Sequence, residues 1–412
     1  MASPDPRPFG ALRLPGFPAF LVTFLLTMMA DNVEHVISYW VAFQKFHSPA
    51  LGGFAVVSHW LPYLAFSVPV GALNDRFDSR RLIQIGAVLF ALVSLGWGVL
   101  ILTGALQIWH AMVLLVLHGC AGVFWLTSSQ VLLYDVVGPQ SIASAVRLNA
   151  TARYLGMLAG PGVGSLLLRT AGPNYGLFLN AAFYLPLIVW LVNAPYGPKF
   201  RRGAPPARAV RGLSDILDTI RDVRQLPVLL AMIVLAGGAS FFVGNSYQAQ
   251  MPTFAVDLGH GDPGAAYSAL LGADAAGALT AGLLLESGRG ILRPQVGAAL
   301  KMATLWAAAL GCFALVRSYP LALGLLFFAG FFELSFSSMT QTIVQLHAPT
   351  DMRGRVMGLF NMSSAGLRTF SGVTVGLLGS VATVHTSLAG AALAFMVITI
   401  TLLIRAPGAA AP

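Results

Sequence analysis

Charge is what this sequence has least of. Only 9% of its 412 residues are Asp, Glu, Lys or Arg, against about 25% in soluble domains. With 57% hydrophobic residues and a mean hydropathy of +0.76, it lacks the polar side chains to cover a water-soluble globule. The deficit runs along the whole length, which excludes a soluble domain hung from one anchor. Lysine is nearly missing too, with three against twenty-one arginines. The net charge of +9 would suit a nucleic-acid partner, but the arginines fall in short links between apolar runs. That is the positive-inside pattern of a membrane protein, and no nucleic acid is expected. The two cysteines, Cys120 and Cys312, lie far apart within apolar stretches and do not make a disulfide framework. No phosphate-cradling Walker loop occurs, so ATP is not the energy source within this chain, and no cofactor is expected.

The apolar runs are long. A helix needs about twenty residues to cross the hydrocarbon core, and twelve such runs fit, at 17–40, 51–73, 82–103, 108–135, 144–168, 175–194, 226–250, 264–285, 294–316, 319–346, 355–380 and 384–405. The first has no small-residue cleavage site after it and is read as a retained span. Even-to-odd links carry Arg76, Arg80, Arg81, Lys199, Arg201, Arg202, Arg208, Arg211, Arg289, Arg293, Arg353 and Arg355. The opposite links have little beyond Lys45, Arg169 and Arg317, which predicts both termini in the cytoplasm. The longest link splits the chain into a six-helix half at 1–194, a cytoplasmic linker at 195–225 and a second six-helix half at 226–412. Within the linker, Leu213, Ile216, Leu217, Ile220 and Val223 share one helical face opposite Asp215, Asp218, Arg221, Asp222 and Arg224. An interfacial helix is one reading and a solvated linker the other. A weak duplication agrees with the division, since Thr127-Ser-Ser-Gln130 returns as Ser338-Met-Thr-Gln341, and Pro139 and Val146 return as Pro349 and Val356.

Between spans two and three stands Gly71-Ala-Leu-Asn-Asp75-Arg76-Phe-Asp78-Ser-Arg80-Arg81. This loop resembles the signature of the major facilitator superfamily. The resemblance implies an all-α membrane fold of twelve helices in two pseudo-symmetric halves, with a solute bound between them near the midplane. It further implies a latch, in which Asp75 sits on a helix N-terminus while Arg80 or Arg76 reaches an acid such as Asp135. The family's usual Gly is Asp78 here, a departure that bears on the loop's backbone geometry. The Asp-Arg-Phe-Asp-x-Arg-Arg form is similar to the branch containing the enterobactin exporter and related drug efflux proteins. In span five, Gly156, Gly160, Pro161 and Gly164 resemble the motif of drug and proton antiporters, with Ser165 in place of its final Gly. Glycines four apart also form a smooth stripe where any helix can approach closely.

Ionisable residues at membrane depth are the candidates for chemistry, because burying a lone charge costs several kcal/mol. Asp31, Glu34 and His35 fall at i, i+3 and i+4 and share one face of span one, continued by Ser38 and Tyr39. Two close carboxylates there suit a proton carrier, whereas in a wet vestibule they would be ordinary. A metal needs more ligands than one turn supplies. No second histidine-rich or acidic motif completes a set, so no metal site and no intramembrane enzyme is expected, and His59 and His118 are read singly as packing or hydrogen-bonded residues rather than metal ligands. Asp274 and Glu333 are the next acids, pairing by depth with Arg153 and Arg368. Tyr63, Trp125, Ser128, Gln130, Asn149 and Gln341, with Arg153 and Arg368, are candidates to line a cavity, packing against neighbouring helices being the alternative. The expectation is a monomeric proton antiporter in a bacterial inner membrane that exports a small organic molecule, a siderophore or drug. A lysophospholipid flippase is the rival transporter. A non-transporting receptor is the rival from another class, disfavoured by the lack of a sizeable extramembrane domain.

Overall fold

A computed structural model describes residues 8–197, 210–244, 246–259, 265–287, 293–371 and 382–405. Lys199, Arg201, Arg202, Arg208 and Arg289, which weigh in the charge pattern, lie outside the described residues, as does the end of the expected eleventh span. The described residues are helical throughout, with no strand among them. Nine of the helices are long and apolar enough to cross a membrane.

A 3-10 turn at Gly10–Arg13 leads into α1 (Phe17–Phe46), α2 (Pro49–Arg76) and α3 (Ser79–Leu102). The next run, Ile108–Thr170, is continuous only in its hydrogen bonds, because Gly138 takes φ 70° and ψ 173°. A side chain disfavours that backbone region and glycine does not, and Pro139 behind it is preset to begin a helix. The run is therefore two helices, α4 (108–137) and α5 (139–170). Then follow α6 (Gly172–Ala182) and α7 (Leu185–Asn193), α7 starting at a proline in its first turn.

Beyond the link lie α8 (Ser214–Arg224), α9 (Pro227–Phe242) and α10 (Met251–Asp257). The expected seventh span at 226–250 is thus interrupted. Helix α9 stops at Phe242, where Gly244 turns to φ 50°, and the chain resumes in short helical pieces. Next come α11 (Ala265–Ser287), α12 (Val296–Leu315), α13 (Tyr319–His347) and α14 (Arg353–Asn361), which passes through a π-turn at Met362–Gly366. The last is α15 (Val384–Arg405).

The packing is inside-out relative to a soluble protein. Large apolar side chains such as Phe43, Val189, Val397 and Ile404 face outward, while Asp31, Glu34, His118, Asp274, Glu286 and Arg355 are buried. That is the arrangement lipid demands, since in hydrocarbon the polar groups must find partners within the bundle. Glycines allow the closest approaches. A Cβ on Gly160 would meet Asn32 and one on Gly164 would lie 3.1 Å from Val36 Cβ, so the expected α5 stripe receives α1.

Around helix α8, Leu213 and Leu217 of the apolar face are 61% and 70% exposed, whereas Asp215 of the charged face is 3% exposed. An acid turns inward because it finds a cation there. Asp215 accepts from the Arg211 amide at 2.8 Å and from Arg355 Nε at 3.2 Å.

Candidate solute-binding cavity

A cavity of about 400 Å³ lies between the helices before residue 197 and those after 210. Tyr63, Trp125, Gln130, Asn149, Arg153, Gln341 and Arg368 all line it, together with Asp31, His35 and Glu333. Several lining atoms are buried without a hydrogen-bond partner, namely Trp125 Nε1, Gln130 Oε1, Asn149 Oδ1 and His59 Nδ1. Buried polar atoms are nearly always paired, so a concentration of unpaired ones on a single cavity marks groups that a polar solute can satisfy.

One wall is built on α1. Asp31 and His35 face the cavity, and Glu34 lies behind them. His118 of α4 fits between the two carboxylates, its Nε2 2.8 Å from Asp31 Oδ1 and its Nδ1 2.7 Å from Glu34 Oε1. An imidazolium can donate to both acids at once, whereas a neutral ring donates to only one. The site therefore offers a proton a defined place between two acceptors. Glu34 also accepts from Ser94 Oγ, which in turn accepts from Asn180 Nδ2 at 3.1 Å. His118 is thus a hydrogen-bonded residue, as the sequence allowed, with two acids as its partners, and His59 packs against His35 and Trp60. No spacing rule reaches across the 84 residues from Glu34 to His118, and only the crossing of α1 and α4 joins them.

The second acidic group lies after residue 210. Asp274 Oδ2 accepts from Tyr247 Oη and Gln248 Nε2, both at 3.0 Å, while its Oδ1 is buried with no partner. The expected Arg153–Asp274 ion pair is not formed in this structure, where Tyr247 and Gln248 donate to one oxygen of the carboxylate. Arg153 and Arg368 instead lie within electrostatic reach of Glu333, whose Oε2 is 3.4 Å from Tyr247 Oη. Arg368 also stands over the Trp60 ring at 5.1 Å and donates to the Ser364 carbonyl.

At one end of the bundle two polar clusters tie the earlier helices to the later ones. Asp75 caps the N-terminus of α14, accepting from the Gly354 amide at 2.6 Å and from the Arg355 amide at 3.2 Å. It also takes Arg355 Nη1 at 3.0 Å, and Asp215 holds the same guanidinium from the other side. Gly71 and Gly354 let the backbones touch, since a Cβ on either would strike the other's carbonyl oxygen. The second cluster joins Glu286, at the end of α11, to Arg147 at 2.8 Å and to Ser144 Oγ on α5. Sequence reasoning missed Arg355's part, Arg147 and Glu286. The signal was present, because Glu286 follows Asp75 by 211 residues, the offset that relates Gln130 to Gln341.

In the signature loop Arg80 chelates Asp78, with Nη2 2.6 Å from Oδ2, and donates to the Ala194 carbonyl. Arg76 lies 5.9 Å from the Phe77 ring centre, and Asp135 ends α4 half-buried beside Tyr134, which stacks under Arg353 at 3.7 Å. Asp78 N-caps α3 through the Arg80 amide at 3.0 Å from an extended backbone at φ −70°, so the loop has no need of glycine there. Partial burial pushes the Asp78 carboxyl up, but its bonds to Arg80 outweigh this and hold it below its ordinary value.

A sequence profile of the Major Facilitator Superfamily matches residues 19–372. The chain belongs to the major facilitator superfamily. It is a multi-pass membrane protein of a superfamily of transporters. This superfamily member is 26% identical over 272 residues to the enterobactin exporter of Shigella boydii, covering 65% of this chain and 62% of that one. It is 22% identical over 222 residues to an uncharacterised transporter of the same type from Bacillus subtilis, covering 52% of each. The matches span between half and two thirds of these relatives' length. Among solved structures it is similar to the human organic anion transporter TETRAN, at a TM-score of 0.75 and 16% identity over 94% of this chain and all of that one. A bacterial homologue of the iron transporter ferroportin in its outward-facing state gives 0.72 and 14%, over 94% and 99%. At such identities the likeness is one of fold.

Proposed function

We propose that this transporter is a proton-coupled exporter of a small organic molecule, siderophore-like or drug-like, that works by rocking two six-helix halves about the central cavity. The observation that carries the reading is His118 held between Asp31 and Glu34 at the cavity wall. A proton shared by three groups there changes hands when access alternates, and the substrate competes with it for the same negative wall. The mixture of aromatic and unpaired polar atoms suits an amphiphilic solute. Export is supported by the likeness to an enterobactin exporter. Twelve spans are reached by counting α4 and α5 separately, α6 with α7, the pieces around α9 and α10 together, and α14 with its continuation. The 211-residue offset between Asp75 and Glu286 supports two equivalent halves, and with both termini in the cytoplasm the two clusters lie at the cytoplasmic end. The structure then corresponds to a cytoplasm-closed state in a bacterial inner membrane.

The test is a pair of proteoliposome assays. Asp31→Asn and Glu34→Gln mimic protonated acids, so each should abolish pH-gradient-driven export of the organic substrate while preserving substrate exchange. Full gradient-driven accumulation by both variants would move the coupling site elsewhere.

A further inference from the structure

Three imidazoles meet on the α1 wall of the cavity. His35 comes from α1, His59 from α2 and His118 from α4, and one nitrogen of each lies within 4.8 Å of the others. Their ring centres are 4.7 to 5.6 Å apart. Asp31 lies beside two of the rings, with Oδ1 2.8 Å from His118 Nε2 and Oδ2 3.9 Å from His35 Nδ1. His59 Nδ1 is buried and unpaired. Three nitrogen donors and one carboxylate form a donor set suited to a borderline divalent ion of the first transition row. In a tetrahedral site with metal–nitrogen bonds of about 2.0 Å the donors lie about 3.4 Å apart, so the rings need to close by roughly an ångström.

We propose that this wall is a coordination site for a divalent first-row transition metal ion, with His35, His59 and His118 as nitrogen ligands and Asp31 as oxygen ligand. The arrangement around it matches what metal sites require beyond their ligands. Glu34 holds His118 through Nδ1, which aims Nε2 at the site, and a carboxylate behind a ligating histidine fixes the ring's tautomer and orientation. Ser94 and Asn180 hold Glu34 in turn. The ion displaces the hydrogen between His118 Nε2 and Asp31, and Asp31 changes from hydrogen-bond acceptor to ligand. The inference rests on the cavity being the solute site, with the ion as cargo taken directly from solution.

The full chain, purified in detergent, is titrated with Co2+ while the intense visible bands of four-coordinate cobalt are followed. One ion per chain is expected. His59→Gln and His35→Gln, which remove cavity-facing rings without stranding an acid, should each weaken binding at least tenfold. Glu34→Gln keeps every ligand and should weaken it by about 10- to 100-fold, as for other carboxylates behind a ligating histidine. Thermal melts identify any variant that merely fails to fold, and the wild-type titration stands without them. Absence of the bands, or bands that survive in the His35→Gln/His59→Gln double variant, overturns the site. The organic-substrate assay run on the same preparation separates the two readings. Proton-driven export without Co2+ binding sinks the metal site alone, and Co2+ binding without organic transport sustains the site while removing the organic cargo.

Discussion

Asp31 and Asp274 are almost equally withdrawn from solvent, at 5% and 2% exposed, yet they are kept there by different chemistry. Asp31 belongs to a charge-compensated group, in which one histidine bridges two carboxylates and serine and asparagine hold the second of them. Asp274 has only the neutral donors of Tyr247 and Gln248 on one oxygen and nothing on the other. The first group depends on a charge being present, and the second tolerates, or favours, its absence. Burial alone therefore does not identify the coupling acid. What matters is whether a proton has somewhere defined to go.

The sharpest way to break this comparison is to remove the bridge. His118→Gln leaves Asp31 and Glu34 facing each other without a cation, and breaking a buried ion pair costs about 3–5 kcal/mol. The variant should melt well below wild type and lose gradient-driven transport at least a hundredfold. Asp274→Asn removes a charge with no cation in contact, so its melting temperature should stay level or rise, and gradient-driven transport should stay within about threefold. The opposite ranking in melts and flux would reverse the roles given to the two groups.

At the closed end the same logic applies to Asp75, which receives two amides and a guanidinium. Asp75→Asn should impair turnover about tenfold or more while leaving membrane insertion intact. Wild-type turnover in a well-expressed variant would remove the latch. A double-mutant cycle on Arg153 and Asp274 should give a coupling below about 0.5 kcal/mol, the limit for residues that do not touch. A larger value would mean that the two meet in another state of the transport cycle. The smallest effect expected of a single substitution at this end is at Asp78, where asparagine keeps the helix cap and removes only the stabilising charge that Arg80 holds. Because the Asp78 pKa is depressed on folding, that stabilisation is present at neutral pH and disappears as pH falls through the lowered value. The difference in melting temperature between wild type and Asp78→Asn should narrow below the ordinary carboxylate range.

Much of this was legible from the chain. The apolar runs, the signature loop, the α5 glycine stripe and the set of cavity-lining residues follow from length, charge and helical spacing, which act locally. Asp31, Glu34 and His35 were visible for the same reason, since one turn of helix holds them. Their partners were not. His118 and His59 reach them only by helix crossing, and Asp215 looks like a surface acid until Arg355 is set beside it. The break after α9 did leave a signal that a hydropathy window averages away, since the apolar run ends at Gly244 and Asn245, Ser246, Gln248 and Gln250 follow it.

The glycines between α2 and α14 have a mechanical meaning. Besides Gly71 against Gly354, a Cβ on Gly358 would lie 2.8 Å from Val68 Cα, and one on Gly366 would lie 2.6 Å from Leu64 Cα. At these glycines the two helices thus bear on each other backbone to backbone. Interdigitated helices must disengage their teeth to turn, one rotamer at a time. A smooth bearing needs no such steps, so on the rocking motion proposed here the resistance to turning sits at its end, in the bonds of Asp75. That separates the hinge from the catch. An alanine at Gly358 should jam the first, and an asparagine at Asp75 should only loosen the second.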